Sequence, residues 1–174
     1  MQKDKLIEIK GLTKNFGKLL ALDNLNFDIY KGEIFGLLGP NGAGKSTFIS
    51  ILTTICKPTS GDVFINGFSV KRQPDKVKRS IGFVPQDIAL YTMLSGLDNL
   101  NFWAGIYGLS GRLKKERIKE VLSIVRLEDR AKDKVEEYSG GMKRRLNIAV
   151  ALLHCPEILV MDEPTVGVDI QSRK

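Results

Sequence analysis

The sequence predicts an α/β protein: a core with a parallel sheet, an N-terminal antiparallel β-subdomain and an inserted α-helical subdomain. Three observations predict it. Apolar residues alternate through residues 6–9 and again at Leu25, Phe27 and Ile29, as half-buried antiparallel strands do. Two short apolar runs, 34–38 (IFGLL) and 158–161 (ILVM), have the length and continuity of strands buried on both faces. Between them, from Gln86 to about Glu137, helical spacing replaces alternation.

Each element has its own warrant. Residues 62–65 form a further strand because Asn66-Gly67, before Phe68, favours a two-residue turn with both central φ positive. A helix over 46–52 follows the glycine-rich turn after the first apolar run. Leu97, Leu100, Trp103, Ala104 and Tyr107 fall on one helical stripe, read as core. Residues 114–125 alternate charge around Ile118, Val121, Leu122 and Val125, the pattern of an amphipathic surface helix. A helix over 141–153 ends at the Cys155-Pro156 break, which leads into the second apolar run.

Composition bounds the class. At 174 residues, with 43% apolar and 27% charged side chains, the chain sustains one folded core and is neither disordered nor fibrous. No apolar run approaches the roughly 18 residues of a membrane span, and MQKDKLIEIK lacks the apolar stretch of a signal peptide. The net charge of +7 permits binding to nucleic acid or an anionic surface without establishing either. The basic stretch 71–79 reads as a solvated face, whereas 143–145, which adjoins a motif, is left open between a solvated face and a functional one. Cys56 and Cys155 match no metal or disulfide spacing and are expected to be small buried residues. His154 ends an apolar helical run without a nucleophile partner, so a structural role is expected.

Two motifs carry chemistry. Gly39, Pro40, Asn41, Gly42, Ala43, Gly44, Lys45 and Ser46 satisfy G-x-x-x-x-G-K-[ST]. Its glycines let backbone N–H groups wrap phosphate oxygens, Lys45 neutralises the β and γ phosphates, and Ser46 offers its hydroxyl to Mg2+. The run 158–161 delivers Asp162 and Glu163 at its C-terminal end, where ligands bind in α/β sheets. Asp162 is expected to anchor hydrated Mg2+. Alternation turns Glu163 the other way, toward the γ-phosphate, to polarise water. Ser139, Gly140 and Gly141 open the next helix and suit a second phosphate contact or an ordinary serine cap.

With these in place the chain resembles the ATP-binding cassette family from Ile7 to its end. The family signature LSGGQ is matched by Tyr138-Ser139-Gly140-Gly141-Met142, with Tyr and Met at the two variable ends. That variant, followed by basic residues, resembles the ATP-binding subunits of bacterial drug and antibiotic exporters. The resemblance implies that Phe16 stacks on adenine and that Gln86 contacts Mg2+ and the attacking water. It also implies that Thr47 completes the phosphate loop and that Asp169 reaches across a dimer. It divides one incomplete cassette into residues 1–86, 87–138 and 139–174. The family places its switch histidine on a further strand after the acidic pair, so a C-terminally truncated chain is expected, and a nucleotide-binding fragment without turnover is a second alternative.

The activity implied is ATP hydrolysis with ATP and Mg2+, coupled to transport through head-to-tail dimerisation. The implied partners are an integral-membrane permease subunit and a second ATPase subunit, at the cytoplasmic face of the membrane. Action on nucleic acid or ribosomes is the alternative, disfavoured because such relatives carry two cassettes or zinc-binding cysteine pairs.

Overall fold

A computed structural model describes residues 4–163, which fall into two compact units, 1–81 and 82 onward. In the first, β1 (Lys5–Phe16) and β2 (Leu19–Tyr30) pair antiparallel with Ile7 opposite Ile29 and Ile9 opposite Phe27. Ile7, Ile9 and Leu12 turn inward while Glu8 and Lys10 stay outside and pair with each other at 3.0 Å, so alternation sets the buried face. β3 (Ser60–Ile65) joins the other edge of β1, with Ile9 opposite Val63, and β4 (Phe68–Ser69) completes the order β2-β1-β3-β4. Between β3 and β4, Asn66 and Gly67 both have positive φ, 50° and 77°, the backbone that the Asn-Gly pair predicts.

Helix α1 (Lys45–Leu52) buries Phe48, Ile51 and Leu52, and the Phe48 ring lies 5.8 Å from that of Phe27. Helix α2 (Pro74–Ser80) comes from the first basic stretch. Proline near its start, Asp75 in its first turn and Lys78 and Arg79 in its last suit the helix dipole, while Val77 is buried.

The run 34–38 departs from the expectation of a buried parallel strand: it is irregular, and Ile34 and Leu38 are almost fully exposed. Only Phe35 finds a partner ring there, stacked 5.5 Å from Phe27. A central strand requires ladder partners on both sides, and among the described residues no strand pairs with this run.

The second unit pairs β5 (Ile81–Val84) with β6 (Ile158–Met161) in parallel, linked through α3 (Gly96–Ile106), α4 (Gly111–Val125) and α5 (Gly140–Leu152). Leu100, Ala104, Ile118, Val121, Leu122, Val125, Leu146, Ala149 and Val150 form the three-helix core. Helix ends are tied across the bundle. Arg117 donates through Nη2 to the Leu152 carbonyl at 2.6 Å and through Nε to Leu153 at 3.1 Å, closing α5. Arg145 in turn caps α4 through the carbonyls of Val125 and Arg126. Buried Asn99 donates to the Tyr91 and Ser95 carbonyls and accepts from the Tyr91 N–H, bracing the loop before α3.

Three further expectations are corrected. β6 forms, but only Val160 in it is buried. Tyr107 sits at the rim of the helical core, stacked 4.2 Å from His154, because it lies one residue past α3. Cys56 is half-buried and Cys155 exposed: both fall in turns after helices, and Cys155 has φ 53°, a turn backbone at the surface.

Candidate functional site

The phosphate loop belongs to the first unit. From Gly39 the chain turns, with the Ala43 N–H donating to the Pro40 carbonyl at 3.2 Å, and α1 begins at Lys45 behind Gly44. Gly44 is the N-cap residue, with φ 85°, and offers no side chain to the first-turn amides. Those amides, with the positive end of the helix dipole, suit an anion. Lys45 folds back over the loop, its Nζ donating to the carbonyls of Gly39 at 2.7 Å and Pro40 at 2.8 Å. A cation is thereby held against the loop, at the start of α1. Ser46 is exposed and Thr47 half-buried in the first turn of α1. Phe16 ends β1 half exposed, with the Lys14 ammonium 4.7 Å from its ring centre.

Gln86, Ser139, Gly140, Gly141, Asp162 and Glu163 belong to the second unit. The Asp162 N–H donates to the Val84 carbonyl at 3.0 Å, so the acidic pair begins directly after the β5–β6 ladder. Glu163 does not continue the strand's alternation as expected: it has φ 44°, left-handed for a residue with a Cβ, a cost of about 1–2 kcal/mol. Its carboxylate is exposed, while Asp162 is half-buried. Among the described residues no group of three His, Cys, Asp or Glu gathers to hold a metal. The Asp162 carboxylate is an oxygen donor of the kind that Mg2+ takes beside water and phosphate. Asp169 lies outside the described residues.

Ser139 is the N-cap of α5, its Oγ accepting from the Met142 N–H at 3.2 Å. That bond uses a lone pair and leaves the hydroxyl proton free to be donated to a phosphate oxygen, so the serine-cap and phosphate readings are compatible. A Cβ on Gly141 would meet nothing within 4 Å, so the first turn of α5 is open to an approaching group.

Two contributors escaped the sequence reading. Tyr138 is buried, and its hydroxyl donates to the Arg130 carbonyl at 2.6 Å, tethering the residue before Ser139. Burial pushes its pKa up, keeping the proton on the donor. A Cβ on Gly96 would collide with that hydroxyl, so Gly96 and Tyr138 belong together. Tyr138→Phe is expected to lower stability by about 1 kcal/mol in urea denaturation while leaving the core packed.

The other is Arg144, in the basic stretch that the sequence left open between solvent and the adjoining motif: it is buried, at 6% exposure. Its Nη1 donates to the Pro85 carbonyl and, at 3.1 Å, to that of Gln86. Its Nη2 donates to those of Asp162 at 2.9 Å and Glu163 at 3.3 Å. The signal was present in the spacing: Arg144, Asn147 and Ala151 are all buried and recur at i, i+3 and i+7.

The family model described as ABC transporter matches residues 22–166. The linearmycin resistance ATP-binding protein LnrL of Bacillus subtilis is 49% identical over 97% of this chain and 54% of its own length. The doxorubicin resistance ATP-binding protein DrrA of Mycobacterium tuberculosis is 40% identical over 98% of this chain and 52% of its own. The chain thus spans about half the length of the curated relatives it matches. Among solved structures, cbiO1 of Clostridium perfringens, part of the ABC transporter complex cbiONQ, superposes with TM-score 0.87 at 31% identity. That match covers 96% of this chain and 68% of cbiO1. A dimeric post-hydrolysis state of the ATP-binding cassette MJ0796, bound to ADP and Pi, superposes with TM-score 0.81 at 34% identity, over 95% and 77% of the two chains. The α/β P-loop architecture is that of these cassettes, and the chain belongs to the ABC transporter family.

Proposed function

We propose that this chain is the ATP-binding and hydrolysing part of a subunit that powers a membrane transporter, exporting drug-like or hydrophobic compounds. The observation that carries it is α1, opened by a side-chain-free cap behind the curled Lys45 loop, a phosphate cradle by construction. Its relatives' names, linearmycin resistance and doxorubicin resistance, support export. A dimeric cassette bound to ADP and Pi supports hydrolysis between two copies.

In this reading residues 1–86, 87–138 and 139–174 act as core, helical subdomain and remaining core. Phe16 stacks on adenine and Lys45 neutralises the β and γ phosphates, while the amides of Gly39, Pro40, Asn41, Gly42, Ala43, Gly44 and Thr47 wrap them. Ser46, Gln86 and Asp162 would hold Mg2+, which when bound supplies neutralisation of phosphate charge. Glu163 accepts the proton of the attacking water. Ser139, Gly140 and Gly141 of a second subunit close on the same ATP, with Asp169 at that interface. Closure then depends on contacts that hydrolysis removes, and the motion passes to an integral-membrane partner at the cytoplasmic face. Among the described residues no helix is long and apolar enough to cross a membrane, which fits a separate permease.

Tagging the full-length protein in its native cell, solubilising membranes in mild detergent and identifying what co-purifies tests this. A multi-span membrane protein in near-equal amount is expected. Recovery with RNA, DNA or ribosomes, in a salt-dependent manner, would overturn the transporter reading.

A further inference from the structure

We propose that Arg144 is a positioning residue that sets the Glu163 carboxylate and couples it to the Ser139 end of α5. The proposal rests on the hydrolytic reading above. Four carbonyls at the C-terminal ends of two paired strands converge on one guanidinium: Pro85 and Gln86 on Nη1, Asp162 and Glu163 on Nη2. Only a planar fork with several fixed donors can serve both pairs at once, whereas an ammonium is a point charge on a flexible stem. Burying a permanent cation among neutral carbonyls is a poor route to stability, and the Nε of Arg144 has no acceptor among the described residues. What the arrangement does deliver is geometry. Glu163 stands in a left-handed backbone conformation, which persists only where its surroundings over-determine it, and the Nη2 bonds grip the peptide units on both sides of its Cα.

The same helix carries the signature. Ser139 caps α5 and Arg144 lies in its second turn. At the far end α5 rests directly on β5, since a Cβ on Gly82 would run into the Ala151 carbonyl. Through Arg144 in its second turn and the close approach of Ala151 to Gly82 in its last, α5 links Ser139 to the Gln86 and Glu163 backbones. In the head-to-tail reading Ser139 meets the ATP of the second subunit while Glu163 acts on the chain's own, so α5 ties the backbone at the base of one site to the phosphate contact of the other.

The test uses the full-length protein with its membrane partner, comparing Arg144→Lys, Arg144→Met and Glu163→Gln for Mg-ATP hydrolysis and thermal unfolding. The expected result is a kcat about ten- to a hundredfold lower in Arg144→Met, with KM for Mg-ATP within about twofold of the wild type. Arg144→Lys, which keeps the charge and can satisfy one carbonyl pair, should fall between. A folded Arg144→Lys and Arg144→Met with unchanged kcat, or with KM raised at constant kcat, overturns the proposal. If Arg144→Met does not fold, Arg144→Lys decides alone; if neither folds, the role is structural and the proposal falls. Hydrolysis in the wild type that Glu163→Gln abolishes but Arg144 variants leave intact sinks this inference alone. A wild type that binds no Mg-ATP and releases no phosphate removes the parent reading as well.

Discussion

Glu163→Gln in the full-length protein is expected to lower phosphate release by at least about a hundredfold while leaving Mg-ATP binding intact. The substitution is nearly isosteric and removes the carboxylate's negative charge together with its capacity to take a proton. Glutamine can occupy the left-handed backbone of position 163 as readily as glutamate, so the Arg144 bonds to the carbonyls of residues 162 and 163 stay in place. The effect is therefore confined to chemistry. In the proposed reading the lost charge would lie beside the γ-phosphate and its removal would relieve a repulsion, so affinity for ATP should hold or rise. If hydrolysis dismantles the closed dimer, the variant should accumulate as an ATP-dependent dimer in size-exclusion chromatography. Steady-state phosphate release and equilibrium binding of a fluorescent ATP analogue check the two halves separately. Retention of more than about a third of the wild-type rate would assign the base to another group.

Glu163 also shows where sequence reasoning stops. An apolar strand delivering two acids was legible, because β6 ends at Met161 with Asp162 still bonded to the Val84 carbonyl. The left-handed turn at Glu163 was not. A residue before proline is biased away from the right-handed helical region, but nothing local selects the left-handed one. The selecting bonds come from Arg144, distant in sequence, and local reading could not decide whether its charge faced solvent or the adjoining motif. Burial of a charged side chain is a tertiary event that only converging carbonyls make possible. The β1–β2–β3 sheet, by contrast, was written into alternation and the Asn66-Gly67 turn, which are local. The run 34–38 is the converse case. Its residues are apolar enough to be buried, yet burial of a strand depends on neighbours that hydrophobicity does not name. Tyr138 was legible as a departure from a motif, and only the folded chain shows the Arg130 carbonyl that its hydroxyl meets.

The phosphate loop yields the second large effect, through two glycines with nearly the same backbone and different surroundings. Gly42 has φ 83° and Gly44 φ 85°, so alanine at either costs about 1–2 kcal/mol for the left-handed conformation. Their space differs. A Cβ on Gly42 would meet nothing within 4 Å, whereas one on Gly44 would lie 2.5 Å from the Ala21 carbonyl oxygen and 2.8 Å from Leu22 Cδ2. That oxygen belongs to β2, whose next residue, Leu22, is paired with Lys14 of β1, so it yields only if the sheet distorts. The cheaper response is for the start of α1 to move off β2, carrying the first-turn amides and Lys45 away from the places that the proposed reading gives them around the phosphates. Gly44→Ala is therefore expected to destabilise the chain by about 2–4 kcal/mol in chemical denaturation, against about 1–2 kcal/mol for Gly42→Ala. It should also weaken Mg-ATP binding at least about tenfold, the equivalent of one misplaced phosphate contact. Equal losses of stability at the two positions would show that backbone strain governs the loop and that the approach of β2 to α1 does not.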